Sequence, residues 1–153
     1  RWDEMTPARW QRMLAINVMG SFLCSQLALL RMSTRHGGEG GAIVNLGSVA
    51  SVLGAPGMYV DYAASKGAID TFTLGLAREV ATEGVRVNGV RPGIIDTDIH
   101  ADSGDAQRAF KSADAIPMQR PGTAAEVAES VVWLLSPAAS YVTGTMLTVS
   151  GGR

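Results

Sequence analysis

A chain of 153 residues that is 46% hydrophobic and 18% charged is long enough to bury one core and too apolar to stay disordered. Thirteen basic against fourteen acidic residues leave a net charge of -1, which argues against binding nucleic acid through phosphate neutralisation. A single cysteine, Cys24, excludes an intrachain disulfide framework, and no uninterrupted apolar run reaches the roughly 18 residues of a membrane span. With no apolar signal core behind a basic start, these features predict a cytoplasmic protein without a membrane partner.

The spacing predicts a first helix from Pro7, with Thr6 as its N-cap, to about Met32. Trp10, Met13, Leu14, Asn17, Phe22, Leu23, Leu27 and Leu30 recur along it at helical intervals, and Cys24 is expected to be buried on its apolar side. Glycines 37, 38, 40 and 41 then break it. Residues 42–48, AIVNLGS, read as a strand covered on both faces, and 49–58, with Gly54, Pro56 and Gly57, as loop. A second helix is expected from near Met58 to about Thr82, turning Ala63, Ile69, Phe72, Leu76 and Val80 to the core. Gly84 ends it, VRVNGV (85–90) is a second strand, and Pro92-Gly93 stops that strand. Residues 98–118 are polar and irregular apart from one short helix around Ala106 to Lys111. Thr123 and Glu126 form a capping box for a helix that ends at Leu135 before Pro137, and 145–149 is a last strand. Strands alternating with helices imply an α/β fold with parallel pairing and right-handed crossovers. Three strands make a thin sheet, and the 42–48 strand has no neighbour on one edge, as in half of a larger structure.

Tyr62 and Lys66 stand four apart on the second helix, on one face. A tyrosine ordinarily titrates near pH 10, and a nearby ammonium favours its phenolate, so such a pair can exchange a proton with an oxygen on a reacting carbon. The same spacing also occurs by chance on many helices. Ser48 ends the first strand, where open parallel sheets place their ligands, and its hydroxyl can both donate and accept. A serine that merely terminates the strand would look the same. Asn17 lies near an apolar stripe, so its amide is either a structural hydrogen-bonder or part of a polar relay. Gly20, three residues on, allows close helix approach.

His36 and His100 have no second ligand at metal spacing and are expected at the surface, and Asp96 and Asp98 read as solvated loop carboxylates, so no metal site is expected. Trp2, Trp10 and Trp133 read as packing residues. Ile116, Pro117 and Met118 are candidates to line a pocket.

At six places the sequence resembles the short-chain dehydrogenase/reductase family, in the branch with the Tyr-x-x-x-Lys motif. The pieces are NVMG (17–20), AIVNLGSVAS (42–51), YAASKGA (62–68), VRVNGVRPGIIDT (85–97), RPGTAAEVAESVVWLLS (120–136) and YVTGTMLTVSGG (141–152). They stand in family order and at family spacing over nearly the whole chain, most like the bacterial glucose dehydrogenase-like or 3-oxoacyl-carrier-protein reductase-like members.

The resemblance implies a Rossmann-like doubly wound parallel sheet. Residues 1–153 would be the C-terminal catalytic and substrate-binding part of a single domain, with the N-terminal dinucleotide-binding part, including the glycine-rich turn, absent from the sequence. It implies an NAD(P)-dependent oxidoreductase that interconverts a small-molecule alcohol and a carbonyl, with NAD or NADP as cofactor. Tyr62 would be the general acid/base and Lys66 would lower its pKa and bind the nicotinamide ribose. Ser48 would hold the substrate oxygen, and Asn17 would fix a water that relays protons from Lys66. Pro92, Gly93, Ile95 and Thr97 match the loop that contacts the nicotinamide. The resemblance also implies a homo-oligomer, a tetramer or dimer, formed through helices 6–32 and 59–82. The competing reading is a truncated, inactive oligomerisation fragment, because no phosphate-binding turn precedes a helix in this chain.

Overall fold

Thr6 opens the first helix as its residue type predicts. Its side chain accepts from the Arg9 backbone N–H at 3.4 Å, and Pro7 takes the first helical position. In the computed structural model, which describes residues 1–98 and 107–153, this helix runs as α1 (Pro7–Leu14), a π-helical turn (Ala15–Met19) and α2 (Gly20–Met32). Within the turn the Gly20 N–H reaches back five residues to the Ala15 carbonyl. The extra residue shifts the phase of everything after it. The face of α2 turned inward therefore carries Ser25, while Cys24 is exposed, which corrects the expectation of a buried thiol.

Three strands form a parallel sheet in the order β1 (Gly41–Leu46), β2 (Val85–Pro92), β5 (Met146–Val149), with Gly41 opposite Val85 and Gly89 opposite Met146. Central β2 is the buried spine. Val85 and Val87 turn to one face, under α4 (Val60–Glu79) through Ala77 and Val80, with Leu29, Met32, Ile43 and Leu76 around them. Val90 turns to the other face, under α6 (Ala124–Leu135) through Val127 and Leu134. This is the alternation of a strand sandwiched between helix layers. Burying each of these valines contributes about 2 kcal/mol.

Several expectations are corrected. The stretch 49–58 is not all loop, because Ala50–Leu53 forms a single helical turn, α3, which Gly54 closes at φ +77°. One turn is too short to show a period. Strand 42–48 spans 41–46 and is only half covered: Asn45 is buried, but Leu46 is 51% exposed, and among the described residues β1 pairs only with β2. A small second sheet, β3 (Ile95–Asp96) with β4 (Gly122–Thr123), was not anticipated. The short helix is α5 (Arg108–Lys111), while His100 and Ala106 lie outside the described residues. Pro7–Met32 is, by length and composition alone, apolar enough to cross a membrane, although polar residues interrupt every apolar run in it; here its α1 and π-helical turn pack on α4. Trp2 stacks on Trp10 at 4.8 Å but is half exposed, and Trp133 is also exposed.

Two capping devices fix α6. At its start Thr123 and Glu126 form the expected capping box, and hydrogen bonds from Arg120 and the Thr123 backbone pull the Glu126 carboxyl down to about 2. At its end Arg86 of β2 donates to the carbonyls of Leu134 (2.8 Å), Ser136 (3.2 Å) and Leu135 and Val142 (both 3.3 Å). A cation there satisfies carbonyls the helix leaves open and complements its dipole. Beside it, fully buried Asn88 donates to the Val142 carbonyl at 2.8 Å and accepts from the Thr145 N–H at 3.1 Å, setting the approach to β5. Arg86→Met is expected to lower unfolding free energy by about 2 kcal/mol, and Arg86→Lys by less, in urea titrations of the intact protein. Equal stability of all three forms would show that the guanidinium contacts are energetically idle.

Candidate active site

Helix α4 presents Tyr62, Lys66 and Asp70 at successive i, i+4 positions of one face. Lys66 reaches across to the sheet. Its Nζ donates to the carbonyl of Leu46, the last residue of β1, at 2.8 Å, and lies 5.7 Å from the centroid of the Tyr62 ring. Burial pushes the Lys66 ammonium below the ordinary lysine range, and the negative charge of Asp70 opposes that shift.

Two residues beyond Leu46, Ser48 leaves the strand. Its Oγ accepts from the Ala50 N–H at 3.1 Å, which starts α3, and its carbonyl accepts from the Ser51 hydroxyl at 2.8 Å. With Oγ accepting, the Ser48 proton remains for donation. The strand-ending role of this serine is thus seen directly, and it leaves the hydroxyl proton uncommitted. Gly47 makes the exit possible: a Cβ there would stand 2.8 Å from Met146 Cε and 3.0 Å from the Val90 carbonyl.

The Ser48 segment is tied to the end of β2 by the bond from Val49 N–H to the Pro92 carbonyl at 3.1 Å. Gly93 in turn donates to the Val149 carbonyl at 2.9 Å. A side chain at Gly93 would meet Ser150 at 2.8 Å, so the loop can lie against β5 only with glycine here. Ile95 pairs with Gly122 in the second sheet, and Thr97 lies exposed just after β3. Ile116 is fully buried, while Met118 is 64% exposed.

Asn17 sits in the π-helical turn. Its Nδ2 donates to Ser65 Oγ at 3.0 Å and to Met13 Sδ at 3.1 Å, and Ser65 Oγ donates to the Tyr62 carbonyl at 2.7 Å. The side chain of Asn17 is thereby joined, through Ser65, to the backbone of Tyr62. Ser65, fully buried, is the member of the site that sequence reading missed. In the sequence it is a small polar residue between Tyr62 and Lys66, indistinguishable from a serine on the outer face of a helix.

At the first turn of α4, Arg9 grips the buried carboxylate of Asp61 through Nε at 2.7 Å and Nη2 at 3.3 Å. The Tyr59 ring just before them takes two guanidinium groups, Arg9 at 5.9 Å and Arg108 of α5 at 5.3 Å. The hydrogen bond from Arg9 holds Asp61 below the usual carboxylate range.

The family model described as Enoyl-(Acyl carrier protein) reductase matches residues 1–153. A solved short-chain dehydrogenase/reductase of Brucella melitensis, a glucose/ribitol dehydrogenase, superposes at a TM-score of 0.84 with 36% identity, covering 99% of this chain and 58% of that one. The chain belongs to the short-chain dehydrogenase/reductase family. It is 56% identical over 151 residues to the uncharacterized oxidoreductase YgfF of Escherichia coli K12, covering 99% of this chain and 61% of that protein. A gluconate 5-dehydrogenase of Burkholderia cenocepacia, solved with NADP and tartrate, gives a TM-score of 0.87 at 31% identity over 98% of this chain and 58% of its own. The chain therefore spans about three fifths of the length of these relatives. The Rossmann-like parallel sheet with flanking helices is the one they share.

The Arg9–Asp61 pair gives a signed pH effect. The folded Asp61 titrates below its ordinary 3.8, so on acidification the unfolded chain takes up this proton first. The stabilisation is whole above about pH 4 and is lost as pH falls through the folded value. Thermal melts of Asp61→Asn between pH 7 and 3 are expected to start lower and to fall less steeply below pH 4 than the parent. An identical acid slope would mean the pair does not form.

Proposed function

We propose that the intact protein is an NAD(P)-dependent oxidoreductase that interconverts an alcohol and a carbonyl by hydride transfer, with Tyr62 as general acid/base. One observation carries the reading: Lys66 is tethered to the end of β1 with its ammonium beside the Tyr62 ring, where Ser48 leaves the sheet. Residues 1–153 are then the catalytic and substrate-binding part of a single Rossmann-like domain.

The donor set suits a nicotinamide nucleotide. The Lys66 ammonium has three N–H groups and gives one to Leu46, leaving two for vicinal ribose hydroxyls. Tyr62, Lys66, Pro92, Gly93, Ile95 and Thr97 would hold the group, NAD or NADP, and a gluconate 5-dehydrogenase of the same fold was solved with NADP. When bound, that group supplies or accepts the hydride. The chain handles the proton and the geometry. In the oxidising direction Tyr62 Oη takes the hydroxyl proton as the C–H bond is lost, and in the reducing direction it returns that proton to the carbonyl oxygen. Ser48 donates its free hydroxyl proton to the same oxygen, in line with the charge that develops there. The Lys66 ammonium steadies negative charge on the phenolic oxygen. Asn17, through Ser65, fixes the turn of backbone that carries Tyr62.

The substrate class is a small-molecule alcohol or carbonyl compound, and the near-neutral surface supports no nucleic-acid partner. Leu14, Ile16, Met19, Leu23, Leu27 and Leu30 are about half exposed along α1, the π-helical turn and α2, a face that favours assembly as a homo-oligomer.

Tyr62→Phe in the intact protein is expected to cut turnover by about 10²- to 10⁴-fold while NADH or NADPH still binds in fluorescence titrations. Ser48→Ala is expected to lose about 10²-fold in kcat. Undiminished turnover of Tyr62→Phe would overturn the assignment.

A further inference from the structure

Asp70 is a partly buried carboxylate that the proposed reaction does not use. Its Oδ2 accepts from Arg91 Nε of β2 at 2.9 Å, and the two side chains are only 14% and 22% exposed. Its Oδ1 is wholly buried and has no hydrogen-bond partner among the described residues. A carboxylate oxygen left dry in this way is costly unless positive charge stands near it.

Arg91 supplies that charge on the Oδ2 side, and the surroundings show what stands on the Oδ1 side. A Cβ at Gly47 would lie 3.1 Å from Asp70 Oδ1, so this oxygen sits against Gly47. The residue immediately before, Leu46, holds Lys66 Nζ through its carbonyl at 2.8 Å. Carboxylate oxygen and ammonium thus converge on the same peptide at the end of β1, from positions one turn apart on α4. We propose that Asp70, its charge partly offset by Arg91, is a positioning residue for Lys66 that keeps the ammonium tethered to Leu46. The inference rests on the reading of Lys66 given above and adds a residue to it.

The electrostatic surroundings agree. Burial works against the Lys66 cation, and Asp70 is the group that works for it. Of the elements packed on α4, β1, α3 and the π-helical turn carry no charged side chain. Strand β2 brings Arg91 and Arg86, the latter committed to the end of α6. Helix α1 brings Arg12 and Arg9, with Arg9 bound to Asp61, and the turn after α4 brings Glu83, bonded to Ser33 and Arg35. On α4 itself Tyr62 shares the face, while Arg78 and Glu79 lie three turns further on.

The test is the titration of Lys66 followed by NMR of the intact protein labelled with 15N-lysine, the signal being assigned by its loss in Lys66→Arg. Asp70→Asn, which keeps the shape and removes the charge, is expected to move the Lys66 midpoint to lower pH, and the alkaline limb of kcat with it. Arg91→Gln, which removes the opposing cation, is expected to move the midpoint the other way, and Arg91→Lys to leave it near the parent value. A purely structural pair would change melting temperature without these opposite shifts. An unmoved midpoint in either folded charge-removing variant overturns the proposal, and because the two shifts have opposite signs, one folded variant suffices. If the shifts appear but Tyr62→Phe keeps full turnover, the proposed reaction fails while the coupling of Asp70 to Lys66 stands.

Discussion

The bond from the Lys66 ammonium to the carbonyl of Leu46 joins the two elements on which the rest of the site depends. Helix α4 brings the titratable face, and β1 brings the chain to the point where Ser48 leaves the sheet. A half-buried ammonium is an unfavourable thing to place at that junction. It is held there by a carbonyl acceptor and, in the reading developed above, by a carboxylate one turn away. Gly47 is part of the same constraint, because its missing Cβ lets Asp70, Met146 and the Val90 carbonyl close on the strand end. A Cβ there would press on the Met146 methyl, the Val90 carbonyl and the Asp70 carboxylate together.

What keeps the junction rigid is the treatment of β2. Its apolar residues are divided between two helix layers, and its polar ones serve as fasteners. Arg86 closes the end of α6, Asn88 sets the path into β5, and Arg91 pins Asp70. Through these three side chains one strand orders three other elements, α6, β5 and α4. The Pro92-Gly93 loop continues that strand and is fastened at Val49 and Val149, so the Ser48 side and the proposed nicotinamide side are braced by the same backbone.

The face of α4 that carries Tyr62 and Lys66 is braced by a second set of polar contacts on its far side. The π-helical turn rotates Asn17 onto Ser65, and Ser65 onto the carbonyl of Tyr62. At the head of α4 the Arg9–Asp61 pair and the arginines against Tyr59 fix the first turn. These contacts restrain the helix at both sides of Tyr62 while leaving its ring facing Lys66.

The sequence by itself determined the element order, the α/β class and the Tyr62–Lys66 face, because helical and strand periods are local properties and an i, i+4 spacing survives any packing. It also carried the family, because six short pieces in register are specific even where each alone is weak. It did not reveal α3 or the β3–β4 pair, which are too short to have a period. Nor did it reveal the exposure of Cys24, since one extra residue in a π-helical turn changes which side of α2 faces inward. Ser65, Asp70, Arg86 and Arg91 were silent for a different reason. Their long-range partners lie 21 to 56 residues away in the chain, so their meaning comes only from which strand and helix the fold brings together. Tertiary structure decided those pairings because a buried charge takes its role from the group that meets it, and that group is chosen by packing, not by neighbours in sequence.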